Sequence, residues 1–534
     1  MMAMSEQLLM PDYGLGIPGG ISVLLVLTAI TVACVVSAWI FHSSKAPPGD
    51  GHYASRDFIT HADLVDPEIR RDHLAFNAHL HRRFAGQRFV PVRGEDSCFV
   101  AFTHGLCKEV MNDHASFSSN PYSEDRLVAL NTMSKADHKR VLHHVHRHYA
   151  QAEIGNLKDR IRTVIEQCTD ELEHGGVSDN INGGDAMTWA KRIHMASTLT
   201  RLGVQWGGSN GKPTWELVDE MVMLNDAMVA LVAPLGGVGK RYQTLTLWQM
   251  CLVLLFLLKS LPATLVMFWC LGFKCSWAIV RPDITFICPP RHPRGGLWWC
   301  PELLPLVPRY FMALHRLLDM AASSGGSGGS PAQPEKDGPL HRIFEGVSKG
   351  PHEGGLRMEE ALTLLVQLMV NMTSANSLGN MIFRLGTEAE AARQVLAEPD
   401  RFVADFVQEG LRLDAPLQRN PRRVTATLGS KWANSSLKPG DQLLLFLGAA
   451  NMDPAVFEDP TEFRLGRANA GSAVSFGSGM HYCLGSELVK TELRLALECL
   501  ASRFSAVEVG TYERLVDVDV GNYGFRHLHV QLKR

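Results

Sequence analysis

The chain of 534 residues lacks any strong charge of one sign: 52 lysines and arginines stand against 55 aspartates and glutamates, a formal net charge of −3. It also lacks a basic stripe with interleaved aromatics, which removes the electrostatic footprint of a nucleic-acid binder. Eleven cysteines are scattered without paired spacing, so neither a disulfide framework nor a zinc ribbon is supported, and a reducing cytosol suits the main body. Length alone is compatible with one large domain or three average ones.

Long apolar runs, in contrast, are present. Ile21 to Phe41 carries no charge and has the length a helix needs to cross a hydrocarbon core, so residues 21–41 read as a transmembrane anchor behind an N-terminal segment, 1–20. A cleaved signal peptide would begin with basic residues, but Glu6 and Asp12 stand there. Lys45 and Arg56 follow the run, and this charge bias places the body on the cytosolic side. A second run, Leu245 to Val280, is broken by Lys259, Pro262 and Lys274. A single crossing there would split the body across the membrane, so the stretch at about 245–310 reads as a membrane-associated insertion. Ala321 to Gly338, rich in glycine and serine, reads as a flexible loop within one domain, residues 50–534.

The most specific segment is Phe476 to Gly485, FGSGMHYCLG. Gly477 and Gly479 let a short loop bend close to a flat cofactor. Cys483 sits at its end, before a helix whose apolar stripe is Leu484, Leu488, Val489, Leu493, Leu497, Leu500 and Phe504. The amino end of that helix points at the sulfur, where peptide dipoles and unpaired N–H groups stabilise a thiolate.

The pattern F-x-x-G-x-H-x-C-x-G resembles the haem-binding loop of the cytochrome P-450 superfamily. The resemblance implies a mainly α fold with small β-sheets, in which haem b (iron protoporphyrin IX) lies between a long central helix and the cysteine-ligand loop. It implies Cys483 as the axial iron ligand, Phe476 and Gly477 against the haem, and His481 hydrogen-bonded to a propionate. The region FVAFTHGLCKEVMNDHASFSSNPYSE is similar to the amino-terminal sheet and first helices of bacterial-type members. Downstream, Asp137-His138-Lys139-Arg140 opens a helix where the family faces the propionates, making His138 and Arg140 candidates; Leu142 departs from a position that is often basic. His143, His144, His146 and His148 crowd the same helix and read as a solvated basic face.

Glu409 and Arg412 lie three residues apart and so share one helical face. The resemblance implies a buried network of this pair with a later arginine, Arg464 or Arg467. Arg422 or Arg423 should reach a propionate; a one-residue register shift exchanges their faces, so both stay open.

The distal side departs from the family. Glu359 to Leu385 reads as the central helix, but Met369-Val370-Asn371-Met372-Thr373 stands where the family has Ala-Gly-x-acid-Thr. Thr373 survives, Met372 carries no proton, and Asn371 donates a hydrogen bond without titrating. The resemblance implies a monooxygenase acting on a lipophilic small molecule, with a role in secondary-metabolite biosynthesis, electrons from NADPH-cytochrome P-450 reductase and a place in the endoplasmic reticulum membrane. The missing acid keeps open an enzyme that does not activate dioxygen, such as a peroxide-using, isomerising or nitric oxide reducing one. A haem sensor without turnover is the other alternative.

Overall fold

The computed structural model describes residues 58–534 apart from 61–62, 65, 94–96, 120–132, 134, 175–182, 205–214, 233–305, 324–337, 370–371 and 516–520. The apolar runs at 21–41 and 245–280, and most of the glycine-rich loop at 321–338, therefore lie outside the described residues. Among the described residues no helix is long and apolar enough to cross a membrane.

The longer helices, in chain order, are α1 (His73–Arg83), α2 (His104–Asn112), α3 (Lys135–His143), α4 (Lys158–His174), α5 (Ala186–Arg201), α6 (Trp215–Val232) and α7 (Leu306–Ser323). They continue with α8 (Pro339–Lys349), α9 (Met358–Met369), α10 (Met372–Thr387), α11 (Ala389–Ala397), α12 (Pro399–Leu413) and α13 (Ser486–Arg503). Their ends follow local chemistry. Asp72 and Asp185 cap α1 and α5 by accepting the N–H groups of Ala75 and Met187, and Pro399 opens α12, where no backbone N–H is needed.

Among the described residues there are nine strands, β1 (Ile59–Thr60), β2 (Val90–Arg93), β3 (Cys98–Ala101), β4 (Phe117–Ser118), β5 (Gly183–Asp185), β6 (Arg419–Val424), β7 (Gln442–Phe446), β8 (Ala506–Arg514) and β9 (Phe525–Lys533). They form a mixed sheet in the order β1-β2-β3-β7-β6-β4 and a smaller one, β5-β9-β8. Strand β7, Gln-Leu-Leu-Leu-Phe, is buried from Leu443 to Phe446, as a central strand covered on both faces must be.

The main core joins α4, α5, α10, α12 and α13. The stripe expected on α13 faces it: Leu488, Val489, Leu493, Leu497 and Leu500 are buried, with Phe504 behind them, while Leu484 packs at its margin. The central helix is described in two pieces, α9 and α10, and Val370 and Asn371 between them lie outside the described residues.

The histidine-rich face is corrected. Helix α3 stops at His143, and the N–H groups of His144 and Val145 bond back three residues, to Val141 and Leu142, which tightens the chain into a 3₁₀ turn over His146–Tyr149. His148 is buried there and accepts the Nε–H of Arg147 at 3.2 Å, so it belongs to no solvated helix face.

A polar knot ties α1 to the carboxyl end of α12. Arg384 makes two bonds, at 2.5 and 3.0 Å, to the buried carboxylate of Asp414. His73 lies 3.6 Å from the same carboxylate, bonds the Leu413 carbonyl at 3.3 Å and leans on Tyr523 with ring centres 3.8 Å apart. Burial pushes His73 down from 6.5 to about 4, although Asp414 opposes the shift. Its folded value is below its unfolded one, so the neutral ring contributes fully above about pH 6.5 and that contribution is lost as pH falls toward 4. Stability measured by urea unfolding should drop across that window by about 3 kcal/mol from this residue. In His73→Phe the drop should shrink.

Candidate functional site

Cys483 is positioned by its own loop. Its N–H donates to the Phe476 carbonyl at 2.9 Å, closing the bend, while Gly477 and Gly479 adopt φ of 75° and 73°. A 3₁₀ turn spans Gly479–His481, and α13 begins three residues after the sulfur. Cys483 is solvent-accessible. Burial pushes its pKa up, against the lowering effects of the Gly485 N–H and the Lys490 ammonium. The N–H contact is the helix-terminus donor expected beside an anionic sulfur. Lys490 is held by Glu487 at 2.9 Å and lies over the Phe476 ring, 5.4 Å from its centre.

Around His481 the structure gathers nitrogen without acid. His138, buried on α3, meets the His481 ring edge-to-face at 4.9 Å, and His114 does so at 5.7 Å. Ser119 Oγ lies 3.0 Å from His481 Nε2, while His481 Nδ1 is buried with no partner. Burial, then His138, Arg422 and His114, push His481 down to about 3.

Arg422 and Arg423 occupy opposite faces of β6, and Arg423 Nε is buried without a hydrogen-bond partner among the described residues. β6 pairs antiparallel with β7, Arg422 opposite Leu443 and Arg423 opposite Gln442, and only Arg422 is buried as a whole residue, 4 % exposed. Its guanidinium bonds Asn420 Oδ1 at 2.6 Å and the Pro421 carbonyl at 2.8 Å but no carboxylate, and burial lowers its pKa to about 10. An isolated buried cation is costly unless an anion meets it. This cradle, with an orphaned imidazole nitrogen and an uncompensated guanidinium, fits the carboxylates of a haem.

Arg140 does not share in it. Its guanidinium is spent on the fully buried Glu360 at 2.6 and 3.0 Å, on the Gly355 carbonyl and on Asp137. These bonds, with those from Arg357, hold Glu360 below the usual carboxylate range despite its burial. Arg140 thus ties α3 to the first turn of α9.

Beneath the loop lies the acid–base centre of α12. Glu409 and Arg412, both fully buried, form a two-pronged pair at 2.7 and 2.8 Å. Arg412 spends its other hydrogens on the carbonyls of Asn451, Pro460 and Glu462. Arg467 is the third member, with Nε 3.0 Å from Glu409, whereas Arg464 reaches the carboxylate only through its backbone N–H and turns its side chain to Asp459 and Glu462. The centre extends to the cysteine loop: Asn451 accepts the N–H of Val474 and donates to Ser475 Oγ, which donates to the Leu411 carbonyl.

On the distal side Thr373 is half-buried in the first turn of α10, and its hydroxyl bonds no described residue. Its carbonyl accepts the Ser377 hydroxyl at 2.9 Å. The role assigned to Asn371 lies outside the described residues.

A cysteine before a helix amino terminus, beside a buried cation and a group of imidazoles, is an arrangement that suits a haem-thiolate site. Residues 368–515 match the family Cytochrome P450. Over 139 residues, 26 % of the chain, the sequence is 39 % identical to Cytochrome P450 144 of Mycobacterium tuberculosis. The chain spans 31 % to 48 % of the length of the curated relatives it matches first. Among solved structures, 88 % of the chain superposes on 99 % of the Bacillus subtilis 168 bacillaene polyketide synthase cytochrome P450 PksS, with a TM-score of 0.61 and 18 % identity. The same share superposes on 100 % of CYP109E1 from Bacillus megaterium in complex with testosterone, with a TM-score of 0.61 and 15 % identity. The match to the cytochrome P450 family thus lies in residues 368–515, and the chain as a whole shares the fold of the P450 structures it superposes on; proteins of that family bind haem, iron protoporphyrin IX, through a cysteine thiolate.

His114 and Lys490 escaped the sequence reading because neither stands in a recognised pattern; the only hint was the proximity of His114 to a predicted strand and turn. Two outcomes follow from the geometry. Arg412→Met leaves Glu409 buried with one cation fewer and should cost about 3–5 kcal/mol, read from the urea midpoint. Arg422→Leu should weaken haem retention about tenfold to a hundredfold, the loss of one charge-assisted hydrogen bond, without lowering the melting temperature of the haem-free protein. Arg423→Leu should leave retention unchanged.

Proposed function

We propose that the chain is a haem-thiolate monooxygenase that oxidises a lipophilic small molecule. The observation that carries this reading is the cysteine loop with its cradle: Cys483 as iron ligand, and Arg422, His138 and His481 as partners of the haem carboxylates. Haem bound through a thiolate supplies dioxygen activation when electrons are delivered. The protein's own residues orient and hold. The Gly485 N–H and Lys490 favour the anionic form of Cys483 against its burial, the Phe476 carbonyl holds the Cys483 N–H, and the Glu409–Arg412–Arg467 centre supports the loop.

Thr373 supplies a hydroxyl with free donor and acceptor capacity at Oγ1, suited to hold a water and pass on its proton. Met372, beside it, offers no titrating group. That absence favours a second reading, an enzyme that turns over with peroxide or rearranges its substrate and needs no proton delivery to dioxygen.

Electrons are proposed to come from an NADPH-dependent diflavin reductase of the NADPH-cytochrome P-450 reductase type. The apolar run at 21–41 supports a membrane tether with the body in the cytosol, and the run at 245–280 a second membrane contact. The matched relatives named here are bacterial, which gives the endoplasmic reticulum no support. A secondary-metabolite substrate is proposed on the resemblance alone.

Cys483→Ser should abolish the red-shifted carbon monoxide band of thiolate-bound ferrous haem; an unchanged band overturns the ligand assignment. Substrate-dependent NADPH consumption with reductase supports monooxygenation, and turnover with peroxide alone supports the second reading. Met372→Glu should raise the oxygen-dependent rate about tenfold, a modest share of what a positioned proton donor contributes.

A further inference from the structure

The turn that follows α2 grips the cysteine loop at three successive residues. The Asn112 amide donates to Ser478 Oγ at 3.0 Å. Gly479 lies so close that a Cβ there would stand 2.6 Å from Asn112 Oδ1 and 3.0 Å from the Met111 carbonyl. The Met480 N–H donates to His114 Nε2 at 3.2 Å. Cys483 follows three residues later.

The grip is rigid from the other side as well. The Asp113 carboxylate accepts the indole N–H of the buried Trp432 at 2.7 Å and the Ser116 N–H at 3.1 Å, and Lys431 lies 3.5 Å away. The Phe117 N–H returns to the Asp113 carbonyl at 2.9 Å, and Phe117 then enters β4, paired to β6 opposite Val424. His114 is therefore presented from a turn tied into the six-stranded sheet. Since its Nε2 accepts a hydrogen, the neutral ring carries its proton on Nδ1.

Inside the loop, backbone bonds are few. Tyr482 bonds Gly479, and Cys483 bonds Phe476. Among the described residues His114 is the only side chain that bonds the backbone anywhere from Gly477 to Tyr482. A stretch with two left-handed glycines has no regular structure to hold it, so an external bond decides where it stands.

We propose that Met111–His114 is the seat of the cysteine loop and that His114 is a positioning residue for the iron ligand: it fixes the Met480 amide, and its ring, edge-to-face with His481, fixes the imidazole next to the sulfur. The proposal rests on Cys483 as the ligand. It assigns α2 and the sheet a part in setting the height and tilt of the thiolate.

The test uses the haem-loaded full chain. His114→Phe keeps a flat ring and removes the acceptor, while His114→Gln returns an acceptor oxygen near the place of Nε2. In His114→Phe the Met480 amide should exchange its hydrogen about tenfold faster, as loss of one half-buried hydrogen bond implies. The carbon monoxide complex should divide between the thiolate band and the band of a lost or protonated thiolate, the reduction potential should move, and His114→Gln should restore all three. Asn112→Ala should shift the same readings in the same direction, more weakly, and serves if His114→Phe does not fold. Unchanged exchange at Met480, or a His114→Phe spectrum and potential equal to those of the parent, overturns the proposal. The Cys483→Ser spectrum reports separately on the ligand, and the exchange measurement reads the seat whichever residue binds iron.

Discussion

The buried carboxylate of Glu409 is the point on which the proximal half of the molecule hangs. It sits in a place from which water is excluded, and its charge is met by two guanidinium groups and a backbone N–H. Arg412, in turn, has all five of its hydrogens engaged, three of them on carbonyls of an irregular segment between Asn451 and Glu462. Such a segment has no ladder of its own and would wander without those bonds. The value of this pair therefore lies less in mutual attraction, which desolvation largely offsets, than in the carbonyls it gathers. Asn451 passes the constraint on to Val474 and Ser475, where the cysteine loop begins.

Two supports thus converge on one ligand from opposite directions. The α12 centre anchors the entry to the loop, and the turn after α2 seats its middle. Helix α13 closes the exit, with the N–H of Gly485 at its cap against the sulfur and its apolar stripe sunk in the main core. Fixing a metal ligand from several rigid elements is how a site holds its geometry while substrate and solvent come and go on the other face. Here the distal face carries the family's least conforming residues, and the proximal face its most conforming ones.

Much of this was legible in the sequence, and unevenly so for physical reasons. The cysteine loop is local, so its glycines, its histidine and its following helix can be read in ten residues, and the Glu409–Arg412 pair declares itself through helical spacing. Partners brought from afar do not. Arg467 rather than Arg464 completes the centre because the chain between Asp459 and Glu462 turns Arg464 outward, and no periodicity encodes that turn. Arg422 and Arg423 differ only in which face of β6 they occupy, which pairing with β7 decides. Arg140 looked free for a propionate because Glu360 is 220 residues away in the chain. His148 was misplaced since a 3₁₀ turn and a continued helix differ by a single residue in the span of each hydrogen bond. His114 reads as an ordinary loop histidine until the sheet carries it to Met480.

The cluster of Arg422, His114, His138 and His481 has a consequence for how the protein comes into being. Among the described residues no carboxylate meets Arg422, and the imidazoles beside it are pushed toward their neutral form, so the polypeptide by itself carries the cost of a buried cation. A porphyrin held there by its carboxylates would offset that cost, which would make the cofactor a participant in folding as well as in chemistry, and its affinity a component of thermal endurance. A cell that runs short of iron would then accumulate not an idle copy of this protein but a more fragile one.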